Sequence, residues 1–374
     1  MKFIHLSDLH LGKRVNEFSM IEDQRYILQE ILQITEQEKP DGVLVAGDVY
    51  DRTVPPVEAV ELLGDFLKGL AALECKVIII SGNHDSPERL SFASSLIAKS
   101  GIYISPVYDG NIVPVSFRDE FGTVRVYPLP FVKPVSVRGI YPEEKIESYS
   151  DAVRVAVEHL GLDESSRNIL VTHQFVTGAQ TCESEEISVG GTEQIDGSVL
   201  DGFDYVALGH IHGPQRVGRD TVRYCGTPLK YSFSESGHHK SLTVVEVYEK
   251  GNVQIRTVPL KPLHDMRRLR GSYEELTARD SYLGTAVDDY LHITLTDEED
   301  VLDAAARLRI IYPNLMKMDY DNKRTRQNRE ITGLEDIQAK QPLQLVQEFY
   351  ELQNNQPMNE EQTRLVADFI EKLW

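Results

Sequence analysis

The stretch Val43-Leu44-Val45-Ala46-Gly47-Asp48-Val49-Tyr50-Asp51-Arg52 reads as a fully apolar strand that ends abruptly in a polar turn. A short, unbroken β-branched run of this kind suits a strand buried on both faces, as in an α/β layered core. Four further runs share the layout. Phe3–Leu6 leads to Asp8-Leu9-His10, and Val77–Ile80 leads to Gly82-Asn83-His84-Asp85. Asn168–Val171 leads to Thr172-His173, and Tyr205–Leu208 leads to Gly209-His210-Ile211-His212. Helical spacing separates the first three: Ile27, Ile31 and Ile34 mark one face, and residues 57–73 behave alike. In open α/β sheets ligands collect outside the carboxyl ends of the strands, where all five polar clusters fall.

Each cluster alone is a weak signal, because Gly-Asp or Gly-Asn after a strand is commonly just a turn. Together they hold five of the chain's 11 histidines. Asp8/His10 and His210/His212 are spaced i, i+2, which in extended backbone points both side chains to one side. Mixed carboxylate, imidazole and carboxamide donors suit two divalent first-row cations, Mn²⁺ first among them. Two cations about 3.5–4 Å apart need a shared ligand, and Asp48 is the candidate bridge. Charges agree: two cations bring four positive charges and Asp8 and Asp48 remove two, which leaves room for one phosphodiester and one hydroxide. Cations so placed activate water and clamp the oxygens of an in-line displacement, so no Ser or Cys nucleophile is needed. His84, beside the ligand Asn83, is placed to give a hydrogen bond or proton to the scissile phosphate.

The net charge is −20 over 374 residues, which argues against broad, passive adhesion to nucleic acid. Three scattered cysteines, Cys75, Cys182 and Cys225, form no disulfide framework or zinc knuckle. The N-terminus enters a strand at once, without a secretory h-region, so a cytoplasmic protein is expected.

Beyond the clusters, Leu242–Tyr248 and Val253–Leu260 read as a hairpin turned at Lys250-Gly251-Asn252. Composition shifts after Pro262. A charged stretch, His264–Arg270, precedes a strand at Leu291, Ile293 and Leu295. Thr296 and Glu299 read as a capping box, with Val301, Ala305 and Leu308 on the helix face and a strand at Leu315–Met318. The expected organisation is therefore a catalytic domain over 1–263, a small α/β cap over 264–320, a polar linker over 321–340 and two amphipathic helices over 341–374. The first helix carries Leu345, Phe349 and Leu352; the second opens at Asn359 with Gln362 and carries Leu365, Phe369 and Leu373.

The motifs, in this order, resemble the calcineurin-like metallophosphoesterase superfamily. Ser184-Glu185-Glu186-Ile187-Ser188-Val189-Gly190-Gly191 and Phe203–Gln215 are similar to the SbcD family, nuclease subunits of bacterial SbcCD complexes. The resemblance covers nearly the whole chain. It implies a layered sandwich of two β-sheets flanked by helices. It assigns one cation to Asp8, His10, Asp48 and His212, the other to Asp48, Asn83, His173 and His210, and makes His84 the catalytic histidine. Relatives carry a further histidine where this chain has Asp51, so Asp51 receives no role. The implied activity is Mn²⁺-dependent cleavage of DNA ends and hairpins in repair and recombination, close to the nucleoid. The implied partners are DNA, an SbcC-type ATPase bound through residues 341–374, and a second copy of the chain through the helix bearing Val57, Val60, Leu63 and Phe66. A phosphatase or small-molecule phosphodiesterase on the same fold is the rival activity, since Asp48…Asp51-Arg52 also suits protein phosphatases. A scaffold that has lost catalysis is disfavoured by the full ligand set. Gly226-Thr227-Pro228 is either a close-approach loop for DNA or a plain turn. The basic run Lys323, Arg324, Arg326 and Arg329 is either solvated linker or a DNA or partner contact.

Overall fold

The computed structural model of the protein describes residues 1–185, 193–323, 325, 342–354 and 356–373. The chain divides into two compact units, Met1–Leu263 and His264–Trp374.

Among the described residues the first unit is built on two six-stranded sheets. The strand Gly42–Ala46, buried along its whole length, lies between Lys2–Leu6 and Lys76–Ile80, parallel to both. Ile102–Ile104 extends the sheet on one side, and the antiparallel hairpin Ser241–Val247 and Val253–Pro259 extends it on the other. The second sheet runs Gln215–Val217, Arg219–Tyr224, Tyr205–Gly209, Arg167–His173, Gly122–Leu129 and Val115–Asp119. Its four central strands are parallel.

The sheets meet face to face. Leu44, Ala46, Ile78 and Ile80 of one pack with Val124, Val126, Ile169, Val171 and Ala207 of the other in one buried cluster. On the far side of the second sheet, Leu170, Val206 and Leu208 pack with Ala152, Val153, Val155 and Ala156 of the helix Tyr149–Glu158. The helices Ile21–Glu38 and Val57–Ala72 contact each other, and the second contacts the strand Lys76–Ile80. Their buried positions include Ile27, Leu28 and Ile31 and, in the second, Leu62, Leu63 and Phe66. Strands covered on both faces must be apolar throughout, and this is why the five runs lack alternation. The arrangement is the layered two-sheet sandwich expected from the sequence. It carries the ends of Lys2–Leu6, Gly42–Ala46 and Lys76–Ile80 to the same edge as those of Arg167–His173 and Tyr205–Gly209.

The second unit departs from the sequence reading in three places. The charged stretch at its start is itself a strand, Met266–Gly271, parallel to Tyr290–Leu295. Its arginines obscure the pattern because the strand is buried at Met266 and only partly shielded elsewhere. The capping box is formed by Ser272 and Glu275 on the helix Tyr273–Thr277, and not by Thr296 and Glu299. Thr296 instead continues the sheet, its N–H donating to the Gly271 carbonyl, and the helix beyond starts only at Ala304. The last strand runs Leu315–Tyr320, two residues beyond the expected Met318. Leu276, Leu291, Ile293, Leu295, Leu308 and Leu315 make its core. Two helices follow, Pro342–Asn354 and Glu360–Leu373. Asn359 and Gln362 cap the second reciprocally, at 2.8 and 3.0 Å. Of the expected linker, only 321–323 and 325 are described, and Arg324, Arg326 and Arg329 of the basic run lie outside the described residues. Residues Glu186–Gly191 of the quoted motif lie outside them too.

Among the described residues no helix is long and apolar enough to cross a membrane. Cys75, Cys182 and Cys225 are free thiols.

Candidate metal centre

The five strand ends bring Asp8, His10, Asp48, Asn83, His84, His173, His210 and His212 into one cluster. Three of its loops are stitched directly. The Asp8 N–H donates to the Gly47 carbonyl at 3.0 Å and the His10 N–H to the Asp48 carbonyl at 2.9 Å. The His210 N–H donates to the Asp8 carboxylate at 3.0 Å, which links the two sheets. This stitching forces unusual backbone. Asp8, His10 and Asp48 have φ of 53°, 44° and 47°, and His210 has 104°. Non-glycine residues adopt such angles rarely and at a cost, and they cluster at functional sites.

Glycines permit the close approach of the loops. A Cβ on Gly209 would lie 1.8 Å from the Ala46 carbonyl oxygen and 2.7 Å from His173 Nδ1. One on Gly82 would lie 2.1 Å from Asp48 Oδ1. Gly226 belongs to the same frame. Thr227 donates to the His212 carbonyl and a Cβ on Gly226 would strike that same oxygen, so the Gly226-Thr227-Pro228 turn braces the His212 loop.

The donor atoms converge. His173 Nε2 lies 2.9 Å from Asn83 Oδ1 and 3.4 Å from Asp48 Oδ2. His210 Nδ1 lies 3.1 Å from Asn83 Oδ1. His10 Nε2 lies 3.1 Å from His212 Nε2 and 3.6 Å from Asp48 Oδ2. Asp48 thus stands between the two groups of imidazoles. Ligand-type atoms of Asp8, His10 and His212 lie within 4.8 Å of one another, as do those of Asp8, Asp48 and His173. His10, Asp48 and His84 form a similar set. His84 is held differently from the other residues of the cluster. Its N–H donates to Asp48 Oδ1 at 2.9 Å, and its ring Nδ1 lies 3.1 Å from the Asp51 carbonyl oxygen. His84 and Asn83 are half-buried at the open side, whereas the other six are buried.

The residues fit divalent cations. His173 Nδ1 lies 2.8 Å from the Ala46 carbonyl, which can only accept. In a neutral ring Nε2 is then a lone pair aimed at two further oxygen lone pairs, an arrangement that a cation satisfies. The ring atoms of His10 and His210 that meet the other donors are Nε2 and Nδ1, while His10 Nδ1 and His210 Nε2, both buried, have no hydrogen-bond partner among the described residues. The contrast is His5, a core histidine with Tyr205 and the Leu208 carbonyl as partners, whose pKa burial lowers to about 3. Burial pushes the Asp8 carboxyl up to about 6. It also works to raise Asp48, but the facing His173 outweighs it and holds Asp48 well below the usual carboxylate range. Burial likewise works to lower His173, and Asp48 reverses this and raises it to about 9. His210 falls to about 3 through burial and the neighbouring His173.

Several supporting residues escape sequence reasoning. The buried Asp85 carboxylate accepts from the N–H groups of Val49, Tyr50 and Gly82 at 2.9–3.1 Å, tying the Asp48 loop to the Asn83 loop. Burial raises its pKa to about 6. Gln24 donates to the His10 carbonyl and accepts from Gly12. Asp51 takes the Lys13 ammonium at 2.7 Å, with His10 Nδ1 at 3.7 Å. Asp85 sits in a recognised motif, but nothing in its spacing marks three backbone partners.

A sandwich of this kind with this cluster at its strand ends defines a calcineurin-like phosphoesterase, and residues 1–214 match that family. Residues 262–354 match the Type 5 capsule protein repressor C-terminal domain. The chain is 31% identical over 377 residues to the SbcD subunit of nuclease SbcCD from Staphylococcus epidermidis (strain ATCC 12228 / FDA PCI 1200), across 99% of this chain and 98% of that protein. A crystal structure of a dimetal phosphatase from Danio rerio aligns over 70% of this chain and 98% of its own, at 12% identity and a TM-score of 0.42. Within the calcineurin-like phosphoesterases the chain belongs to the SbcD family.

Proposed function

We propose that the protein is a metal-dependent DNA nuclease, a double-strand exonuclease and hairpin endonuclease acting as the nuclease subunit of an SbcCD-type repair complex. The carrying observation is the seven-ligand cluster with Asp48 at its centre, in a chain related over its whole length to a nuclease subunit. Two divalent cations, Mn²⁺ by ligand type, supply Lewis-acid activation of water and phosphodiester when bound. Asp8, His10, Asp48 and His212 would hold one, and Asp48, Asn83, His173 and His210 the other. The chain's own residues do the rest. Asp8, through His210 N–H, and Asp85, through three N–H groups, fix the spacing of the ligands. The His84 Nδ1–H donates to the Asp51 carbonyl, which leaves Nε2 as the free ring atom; Nε2 takes up a proton and the resulting imidazolium passes it to the leaving oxygen.

Residues 264–320 serve as the DNA-recognition cap, and 341–374 bind an SbcC-type ATPase. Exposed Val54, Val57 and Val60 support pairing of two copies through the helix Val57–Ala72, while Leu63 and Phe66 of that helix are committed to the core. The activity is tested by comparing linear duplex and hairpin DNA with p-nitrophenyl phosphate in Mn²⁺. Cleavage of DNA is expected. A protein that hydrolyses only the small ester would be a phosphatase on this fold.

A further inference from the structure

His212 is held at every polar atom but one. Its N–H donates to Glu185 at 2.7 Å. Its carbonyl accepts from the buried Lys240 ammonium at 2.9 Å. Its ring Nδ1 lies 2.8 Å from Ser184 Oγ, which lies 2.6 Å from Glu235 Oε1. Glu235 is fully buried and ion-paired with Lys240, and it also accepts from the Tyr231 N–H.

A count of hydrogens fixes the tautomer. The Glu235 carboxylate, ion-paired to Lys240, only accepts. Ser184 has one hydroxyl hydrogen and gives it to Glu235. Toward His212 the hydroxyl can then only accept, so Nδ1 must carry the proton and Nε2 must be the lone pair. That lone pair points at His10 Nε2, 3.1 Å away, in the cluster. His10 itself has no such support, since its Nδ1 lacks a hydrogen-bond partner among the described residues.

We propose that Ser184, Glu235 and Lys240 are positioning residues that preset His212 as an Nε2 ligand, so that one of the two cation sites depends on them. The proposal rests on the two-cation reading of the cluster. Partners that orient a ligating imidazole typically contribute 10–100-fold in metal affinity.

The test uses Mn²⁺ alone on the full-length protein, without DNA. Calorimetric titration of the wild type should give two bound Mn²⁺. Ser184→Ala should weaken one of them by about 10-fold or more and leave the other unchanged. Ser184→Thr, which keeps the hydroxyl, should restore it. Glu235→Gln should act like Ser184→Ala, with thermal unfolding checking that the buried pair's loss has not opened the fold. Nitrogen NMR of the metal-free protein gives an independent readout: His212 should be a single Nδ1–H tautomer in the wild type and a mixture in Ser184→Ala. Unchanged affinities with an unchanged tautomer in Ser184→Ala would overturn the proposal. A wild type binding one Mn²⁺ would instead remove the two-cation reading, and the tautomer comparison would still decide the role of Ser184.

Discussion

Asp48 and His84 are joined through the backbone: the His84 N–H donates to Asp48 Oδ1 at 2.9 Å, while His84 Nε2 stays 3.9 Å from Asp48 Oδ2. The bond orients the carboxylate without spending the imidazole. The two residues can therefore be separated experimentally, one by metal content and the other by rate.

Asp48 Oδ2 lies 3.4 Å from His173 Nε2 and 3.6 Å from His10 Nε2, so a single carboxylate oxygen faces both groups of imidazoles. Asp48→Ala should abolish cleavage more completely than loss of any terminal ligand. Metal analysis of the purified variant should find both sites depleted. Full occupancy of one site would reject the bridging role.

His84→Ala should keep metal content near the wild-type level and lose roughly 10²-fold or more in rate, the usual scale of general acid–base assistance. Its side chain is half-buried at the open edge and its backbone bond to Asp48 survives the substitution. Loss of metal in this variant would make His84 a ligand or a fold element.

Gly209→Ala tests how tightly the two sheets meet at the site. The added methyl would sit 1.8 Å from the Ala46 oxygen, a backbone atom with no flexible side chain to yield. Overpacking of ordinary cores costs about 1–3 kcal/mol, so a loss of at least about 3 kcal/mol is expected here. Thermal unfolding in the presence of chelator measures it without the contribution of bound metal. An unaltered melting temperature would mean that the strand ends are looser than they stand.

The strand ends are legible in the sequence because doubly covered strands must be apolar and their polar termini break that run sharply, as at Ala46-Gly47-Asp48. The i, i+2 pairs bring Asp8 with His10 and His210 with His212 into view, although positive φ at Asp8, His10 and His210, and not plain extended backbone, sets their directions. The supports of His212 are not legible. Glu235 ends a single 3₁₀ turn, Phe233–Glu235, and Lys240 directly precedes the strand Ser241–Val247; their burial follows from tertiary packing, and a charged residue there reads as surface. The strand Met266–Gly271 is hidden for the opposite reason: its three arginines mask a period-2 pattern with few buried positions.

Among the C-terminal helices, Phe349, Leu365 and Phe369 are 63%, 57% and 59% exposed, three large apolar side chains on two short helices. The helices contact each other, and Gln362 Nε2 donates to the Tyr350 hydroxyl at 2.9 Å, so the pair is a preformed unit with an uncovered apolar face. Two helices of this length bury too little surface to justify that face alone. Amphipathic helices of this kind lay their apolar side into a partner's groove or along its helices, with anchors at helical spacing such as Leu365 and Phe369. Deleting residues 341–374 should leave Mn²⁺ binding unchanged and shift the melting temperature by little, while abolishing co-purification with an SbcC-type ATPase. Phe369→Asp in the full chain should weaken the same association without the loss of chain length. A truncated protein that still holds the ATPase at full affinity would place the contact elsewhere. One that unfolds would make the helices part of the fold and not a docking element.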